Sequence, residues 1–164
     1  MIQLHAMTDR DFAWLLGEAE SDDSLRLCEG GIGPHEVTAM LRGISAEIAA
    51  GTDQPVAWLI VQDGHVVGMT SFTRARGDGG YDIGYGMAPT FEGRGIMSAA
   101  LAELVRMAPG LGHKRLTAET SVDNPGSQRV LEKNGFMPVG TRDDPEDGAL
   151  IQWAIELPQT KSDA

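Results

Sequence analysis

The sequence predicts a mixed α/β domain with a single central, mostly antiparallel twisted sheet of about seven strands, flanked by about four helices. Three observations lead there. Apolar, strand-like runs alternate along the chain with stretches of helical period. Asp63-Gly64 is a two-residue hairpin signal between two apolar runs. Met87–Leu101, MAPTFEGRGIMSAAL, sets Gly93-Arg94-Gly95 at the passage from a strand-like segment into an amphipathic helix.

Taken in order, Ile2–His5 reads as a short first strand. Thr8-Asp9-Arg10-Asp11 resembles a capping box with Asp in the usual Glu place, and Phe12, Leu15, Leu16 and Ala19 follow at helical spacing. Ser21–Gly33 is polar and glycine-bearing, hence a loop. Pro34 suits a first helical position; Val37, Leu41, Ile44 and Ile48 mark one face of a second helix that stops near Gly51. Pro55–Val61 is apolar on both alternating faces, as a strand covered on both sides requires. His65–Thr73 returns after the hairpin, Arg76–Gly80 turns, and Tyr81–Met87 is a further strand. The helix after Gly95 carries Met97, Leu101, Leu104, Val105 and Ala108 on one stripe, and Pro109–Gly112 ends it. Arg115–Thr120 reads as a strand, Pro125–Asn134 as a helix, Phe136–Gly140 as a strand start, Thr141–Gly148 as an acidic loop and Ala149–Glu156 as the last strand. Residues 1–158 form one domain, and 159–164 a frayed tail.

The 164 residues suffice for one sizeable core, and no apolar run approaches the length of a membrane span. A formal net charge of −11 argues against a nucleic-acid partner, whose binders carry a basic footprint. Cys28 is the single cysteine, which excludes an internal disulfide. With no signal-like segment at the start, a reducing cytoplasm is the expected location. His5, His35, His65 and His113 are scattered without metal-ligand spacing, so no metal site is expected.

The chemistry-bearing signals are two. Glycines at 93 and 95 leave the first N–H groups of the following helix uncovered. Together with the positive end of the helix dipole, these make a site for phosphate oxygens. About thirty residues on, Asn124-Pro125-Gly126-Ser127 opens another helix that closes at Asn134-Gly135-Phe136. A dinucleotide fingerprint is ruled out by the missing third glycine, and a P-loop by the lack of Gly-Lys-Ser/Thr.

Over most of the chain, and most strongly from Tyr81 to Phe136, the sequence resembles the GCN5-related N-acetyltransferase family, closest to the branch that acetylates ribosomal-protein N-termini. The family's phosphate-loop pattern falls on Glu92, Gly95 and Met97; the central glycine matches and both ends depart. The resemblance implies acetyl-CoA as cofactor, direct transfer in a ternary complex, and a primary amine as acceptor, either a protein N-terminus or a small molecule of aminoglycoside or polyamine type. A non-catalytic acyl-CoA-binding module is the reading from another class. No nucleic-acid or membrane partner is expected. A homodimer is compatible with the sequence, which leaves the oligomeric state open.

Acetyl transfer from a thioester needs the pyrophosphate held, a neutral amine, a donor for the developing oxyanion and a hydrogen bond to the leaving thiolate. Gly93, Arg94, Gly95, Ile96 and Met97, next to Glu92, are the candidates for the phosphates. Asn124 is an N-cap with Pro125 behind it, and the resemblance adds a contact to the pantetheine arm. Many members of the family carry a thiolate-protonating Tyr at the position of Leu131. Ser127, one turn earlier on the same helix face, is the candidate in its place. Asp82 and Glu119 compete as base, and a backbone N–H around Met87 is implied as the partner of the acetyl carbonyl. The acidic loop with Asp143, Asp144, Glu146 and Asp147 reads as a solvated turn or as a lure for a cationic acceptor. Acceptor pockets are expected from Ser21–Gly33 and Thr141–Gly148.

Overall fold

The computed structural model describes residues 1–21 and 25–159; part of the expected 21–33 loop and nearly all of the expected tail lie outside the described residues. The strands are β1 (Ile2–Ala6), β2 (Arg26–Leu27), β3 (Ala57–Gln62), β4 (His65–Ala75), β5 (Gly80–Met87), β6 (Arg115–Ser121), β7 (Met137–Asp144) and β8 (Gly148–Glu156). The helices are α1 (Asp9–Leu15), α2 (His35–Ala49), α3 (Ile96–Met107) and α4 (Pro125–Lys133). The strands lie in one sheet in the order β1-β3-β4-β5-β6-β8-β7, and β2 pairs with β4 off this path. Neighbours are antiparallel except β5–β6 and β2–β4, which are parallel.

Each face of the sheet has its own core. Phe12, Leu15 and the partly buried Leu41, from α1 and α2, close over Ala57, Leu59, Val61, Val66 and Met69. Leu101, Leu104 and Leu131, from α3 and α4, close over the alternate residues Trp58, Ile60, Val67, Ile83 and Leu116. The doubly apolar run at 55–61 is thus a strand between two helical layers.

Local chemistry sets the boundaries, and several differ from the sequence reading. The first helix stops at Leu15, because Gly17 turns left-handed (φ +78°); Ala19 lies beyond it. The Thr8 N–H donates to Asp11 Oδ2 at 2.8 Å, the backbone half of the expected capping box. Pro34 sits just before α2 as its N-cap rather than inside it. The 21–33 loop contributes β2, which makes eight strands among the described residues. The Thr141–Gly148 loop is a correction: Thr141–Asp144 continue β7, Gly148 opens β8, and only residues 145–147 make the turn. Arg142, inside this acidic run, pairs with Glu119 and Asp144, and those pairs let charged residues hold an exposed edge strand.

Asn134-Gly135-Phe136 ends α4 in a Schellman motif. The Phe136 N–H donates to Leu131 O, the Gly135 N–H donates to Glu132 O, and Gly135 takes φ +85°. Asn134 Nδ2 donates to Ser98 O (3.1 Å) and to Val130 O (2.9 Å), tying α4 to α3.

Candidate active site

The sheet opens where the two helix-bearing strands part. Parallel pairing of β5 with β6 covers only Gly80–Asp82 against Arg115–Thr117. Beyond that, β5 stays with β4 as far as Met87, and β6 stays with β8 as far as Ser121. The closed end of this wedge is fastened by Phe72 stacked on Tyr81 (4.3 Å between centroids), with His113 edge-on to both rings. Between the diverging ends, the facing backbone edges have no sheet partner among the described residues, which makes them a template for an extended, amide-bearing ligand. Crevices at the carboxyl ends of parallel strands, with helices starting beside them, are the usual ligand sites of α/β sheets.

The two helices that start at the open end differ at their N-termini. Gly95 is the N-cap of α3 at φ +76°, Gly93 has the same φ, and no side chain caps the helix. Residues 92–95 are exposed, and a Cβ added at Gly93 or Gly95 would meet no atom within 4 Å. The N–H groups at the start of α3 therefore face open space with the helix dipole behind them, an arrangement that fits a pyrophosphate. Arg94 lies over the Phe91 ring, 5.1 Å from its centroid. Ile96 and Met97 offer their backbone, but their side chains are buried. Glu92 is exposed beside the loop. On α4, Asn124 Oδ1 accepts from the Ser127 N–H at 3.1 Å, so Asn124 is a working N-cap.

Ser127 faces the wedge from α4, where Tyr85 reaches it from β5. Tyr85 Oη lies 2.7 Å from Ser127 Oγ and 3.3 Å from Ser127 O. Burial pushes the Tyr85 phenol up, opposed by its bond to Ser127, so the group stays protonated at neutral pH. Tyr85 is not among the residues that the sequence singles out. It stands in the same strand as Asp82, but nothing in the one-dimensional pattern ties a residue of β5 to one of α4. Met87 lies at the open end of β5, paired with Gly68 on the β4 side.

The two carboxylates are placed apart from this pair and are already occupied. Asp82 Oδ1 accepts from Arg76 Nε (2.9 Å) and from the Thr117 hydroxyl. Both oxygens of Glu119 accept from Arg142, and that interaction holds the Glu119 carboxyl below the usual carboxylate range. Asp82, Thr117, Glu119 and Gln152 line one cleft of about 230 Å³. A second cleft of about 240 Å³ lies between α2, the loop before it, and β4–β5; Ile32, Val37, Leu41, Met69 and Tyr85 line it. Among the described residues, Tyr85 is the only ionisable side chain in that lining, and none of the lining residues comes from the 141–148 segment. Cys28 is buried and its thiol is pushed up by burial, which makes it unreactive. Among the described residues, no three His, Cys, Asp or Glu side chains converge as metal ligands. None of the described helices is long and apolar enough to cross a membrane.

A family model described as an acetyltransferase (GNAT) domain matches residues 2–137. This chain belongs to that family. It is 32% identical over 82 residues to the ribosomal-protein-serine acetyltransferase of Escherichia coli (strain K12). That match takes in 49% of this chain and 46% of the other, so the chain spans about half the length of the curated relative it matches. Among solved structures, RimL, a ribosomal L7/L12 alpha-N-protein acetyltransferase in complex with coenzyme A, superposes with a TM-score of 0.69 at 20% identity, covering 95% of this chain and 94% of that one. Mycobacterium smegmatis RimJ, in complex with a CoA-disulfide, gives 0.66 at 24% identity over 97% and 85%. A Vibrio cholerae spermidine N-acetyltransferase chimera gives 0.69 at 13% identity over 94% and 95%. At such identities the structural likeness establishes the shared fold.

Proposed function

We propose that this chain transfers an acetyl group from acetyl-CoA to a primary amine, directly in a ternary complex, and that the amine is a polypeptide N-terminus. The observation that carries the reading is the wedge between β5 and β6, with an uncapped, glycine-opened helix at its mouth and Ser127 on its wall. Gly93, Arg94, Gly95, Ile96 and Met97 hold the pyrophosphate through main-chain N–H groups, and the unpaired edge of β5 toward Met87 holds the pantetheine amides. Asn124 orders the first turn of α4 and so places Ser127. When bound, acetyl-CoA supplies the activated thioester. Ser127 donates a hydrogen bond where the leaving sulfur gathers charge, the role that a Tyr at the position of Leu131 fills in many relatives.

The choice of an N-terminus rests on proton chemistry. Asp82 already accepts hydrogen bonds from Arg76 and Thr117, and Arg142 holds Glu119 below the usual carboxylate range, so Glu119 is a weak base toward an ammonium ion. An α-amine titrates near 7.7–8.0 and an alkyl amine near 10.4; close to neutral pH the neutral, attacking fraction of the former is roughly 250-fold larger. A site with its carboxylates so engaged therefore serves α-amines. Asp82, three residues before Tyr85 on β5, takes the proton by way of water after the neutral amine has attacked. The cleft lined by Val37 and Leu41 receives the first residue of the peptide. Its volume of about 240 Å³ suits one side chain better than a drug-sized molecule.

The test is mass spectrometry of the products formed from acetyl-CoA with a pool of free-N-terminus peptides, spermidine and an aminoglycoside. Acetylated peptide N-termini are expected. Turnover confined to the polyamine or aminoglycoside would replace the acceptor assignment. Tight acetyl-CoA binding with no turnover on any amine would make the chain a binding module.

A further inference from the structure

The hydroxyl of Tyr85 spans the wedge and meets Ser127 on the opposite wall, and the placement of two protons decides what Ser127 is able to do. Each hydroxyl has one proton. Tyr85 Oη lies within bonding distance of both Ser127 O (3.3 Å) and Ser127 Oγ (2.7 Å). If Tyr85 donates to the backbone oxygen, Ser127 donates to Tyr85 and has no proton left for the wedge. If Tyr85 donates to Ser127 Oγ along the shorter path, the serine proton is free to point at a third atom. A negatively charged acceptor in the wedge favours the second arrangement, because each bond in a donor chain strengthens the next. Burial keeps the phenol protonated, so Tyr85 acts here as a donor and not as a base.

We propose that Tyr85 is a positioning residue for the transfer reaction: it donates to Ser127 Oγ and thereby directs the serine proton at the leaving sulfur. This rests on the reading of Ser127 as the thiolate's hydrogen-bond donor. No bond is made or broken in Tyr85 or Ser127; two hydrogen bonds run in series, from phenol to serine and from serine to sulfur. Tyr85 also packs its ring against the larger core, so Tyr85→Phe removes the hydroxyl and leaves the packing in place.

The experiment uses Tyr85→Phe, Ser127→Ala and the double variant, with two readouts. The first is the thiol titration of bound coenzyme A, followed by the ultraviolet absorbance of the thiolate. A donor aimed at sulfur stabilises the thiolate, so the bound thiol should titrate higher in Tyr85→Phe than in the parent, by on the order of one pH unit. Ser127→Ala should show a shift at least as large, and the double variant no more than Ser127→Ala. The second readout is kinetic. Tyr85→Phe should lower kcat about tenfold with the acetyl-CoA KM within twofold, and its effect should vanish in the Ser127→Ala background. Independent, multiplying effects would overturn the proposal, as would a parent-like thiol titration in Tyr85→Phe. Loss of coenzyme A binding on that substitution would also overturn it, because Tyr85 would then be part of the binding wall. If Ser127→Ala itself leaves both readouts at the parent values, the reading of Ser127 fails first and takes this one with it.

Discussion

Gly95 gives the sharpest test of the phosphate site, because the protein contains its own control. Gly95 (φ +76°) and Gly112 (φ +89°) are both left-handed, and an added Cβ meets no atom within 4 Å at either position. Replacing either with Ala therefore costs backbone strain alone, about 1–2 kcal/mol. For a domain of this size, that lowers Tm by roughly 2–8 °C. The two variants should melt alike. They differ in place: Gly95 opens α3, whereas Gly112 ends the 3₁₀ turn that follows α3. If main-chain N–H groups at Gly95–Met97 hold the pyrophosphate, relaxing the left-handed turn misaims at least one charge-assisted hydrogen bond. Such a bond is worth about 1.5–3 kcal/mol, or roughly 10- to 150-fold in affinity. Calorimetric titration with acetyl-CoA should show that loss for Gly95→Ala and none for Gly112→Ala, with Tm measured in parallel. A Kd for Gly95→Ala within twofold of that of Gly112→Ala would refute the phosphate assignment, whatever the two variants do to stability.

Other outcomes follow from single contacts. Asn134→Ala loses the donors to Ser98 O and Val130 O; at about 1 kcal/mol per bond, thermal melting should show a fall of several degrees with acetyl-CoA affinity nearly unchanged. Val37 is an exposed lining residue of the cleft proposed for the acceptor, so Val37→Glu should fold normally, lower kcat/KM for apolar N-termini by about tenfold, and leave acetyl-CoA binding intact; unaltered acceptor kinetics would remove the cleft from the site. Glu119 is depressed below its ordinary 4.5, first of all by the hydrogen bond from Arg142. The stabilisation from this pair is therefore present above pH 4.5 and disappears as the pH falls through the lower folded-state value. Arg142→Ala should thus lower Tm slightly at neutral pH and not at all well below pH 4.5, an exposed pair being weak. The same depression keeps Glu119 out of the acid limb of the kcat–pH profile, so Glu119→Gln should leave that limb in place.

Local codes write much of this fold into the sequence. The glycines at 93, 95 and 135, the Asp63-Gly64 hairpin and the Asn124 cap each specify a backbone conformation within a few residues, so they are legible in one dimension. The two-sided apolar run at 55–61 likewise announces a strand between two layers. The 141–148 segment reads as a loop because its acidic composition hides a strand that borrows its order from β8 and from the Arg142–Glu119 pair, a partner 23 residues away. β2 escapes the pattern for a similar reason: a two-residue strand exists only because β4 is beside it. The sequence by itself determined the glycine turn at 93–95 and the serine on the following helix, since both are short-range patterns. Only the tertiary structure decided that β5 and β6 part after three residue pairs, that Tyr85 crosses the opening to Ser127, and that each candidate base already has an arginine partner. Those facts depend on through-space pairing between segments separated by tens of residues, and no local propensity encodes such a pairing.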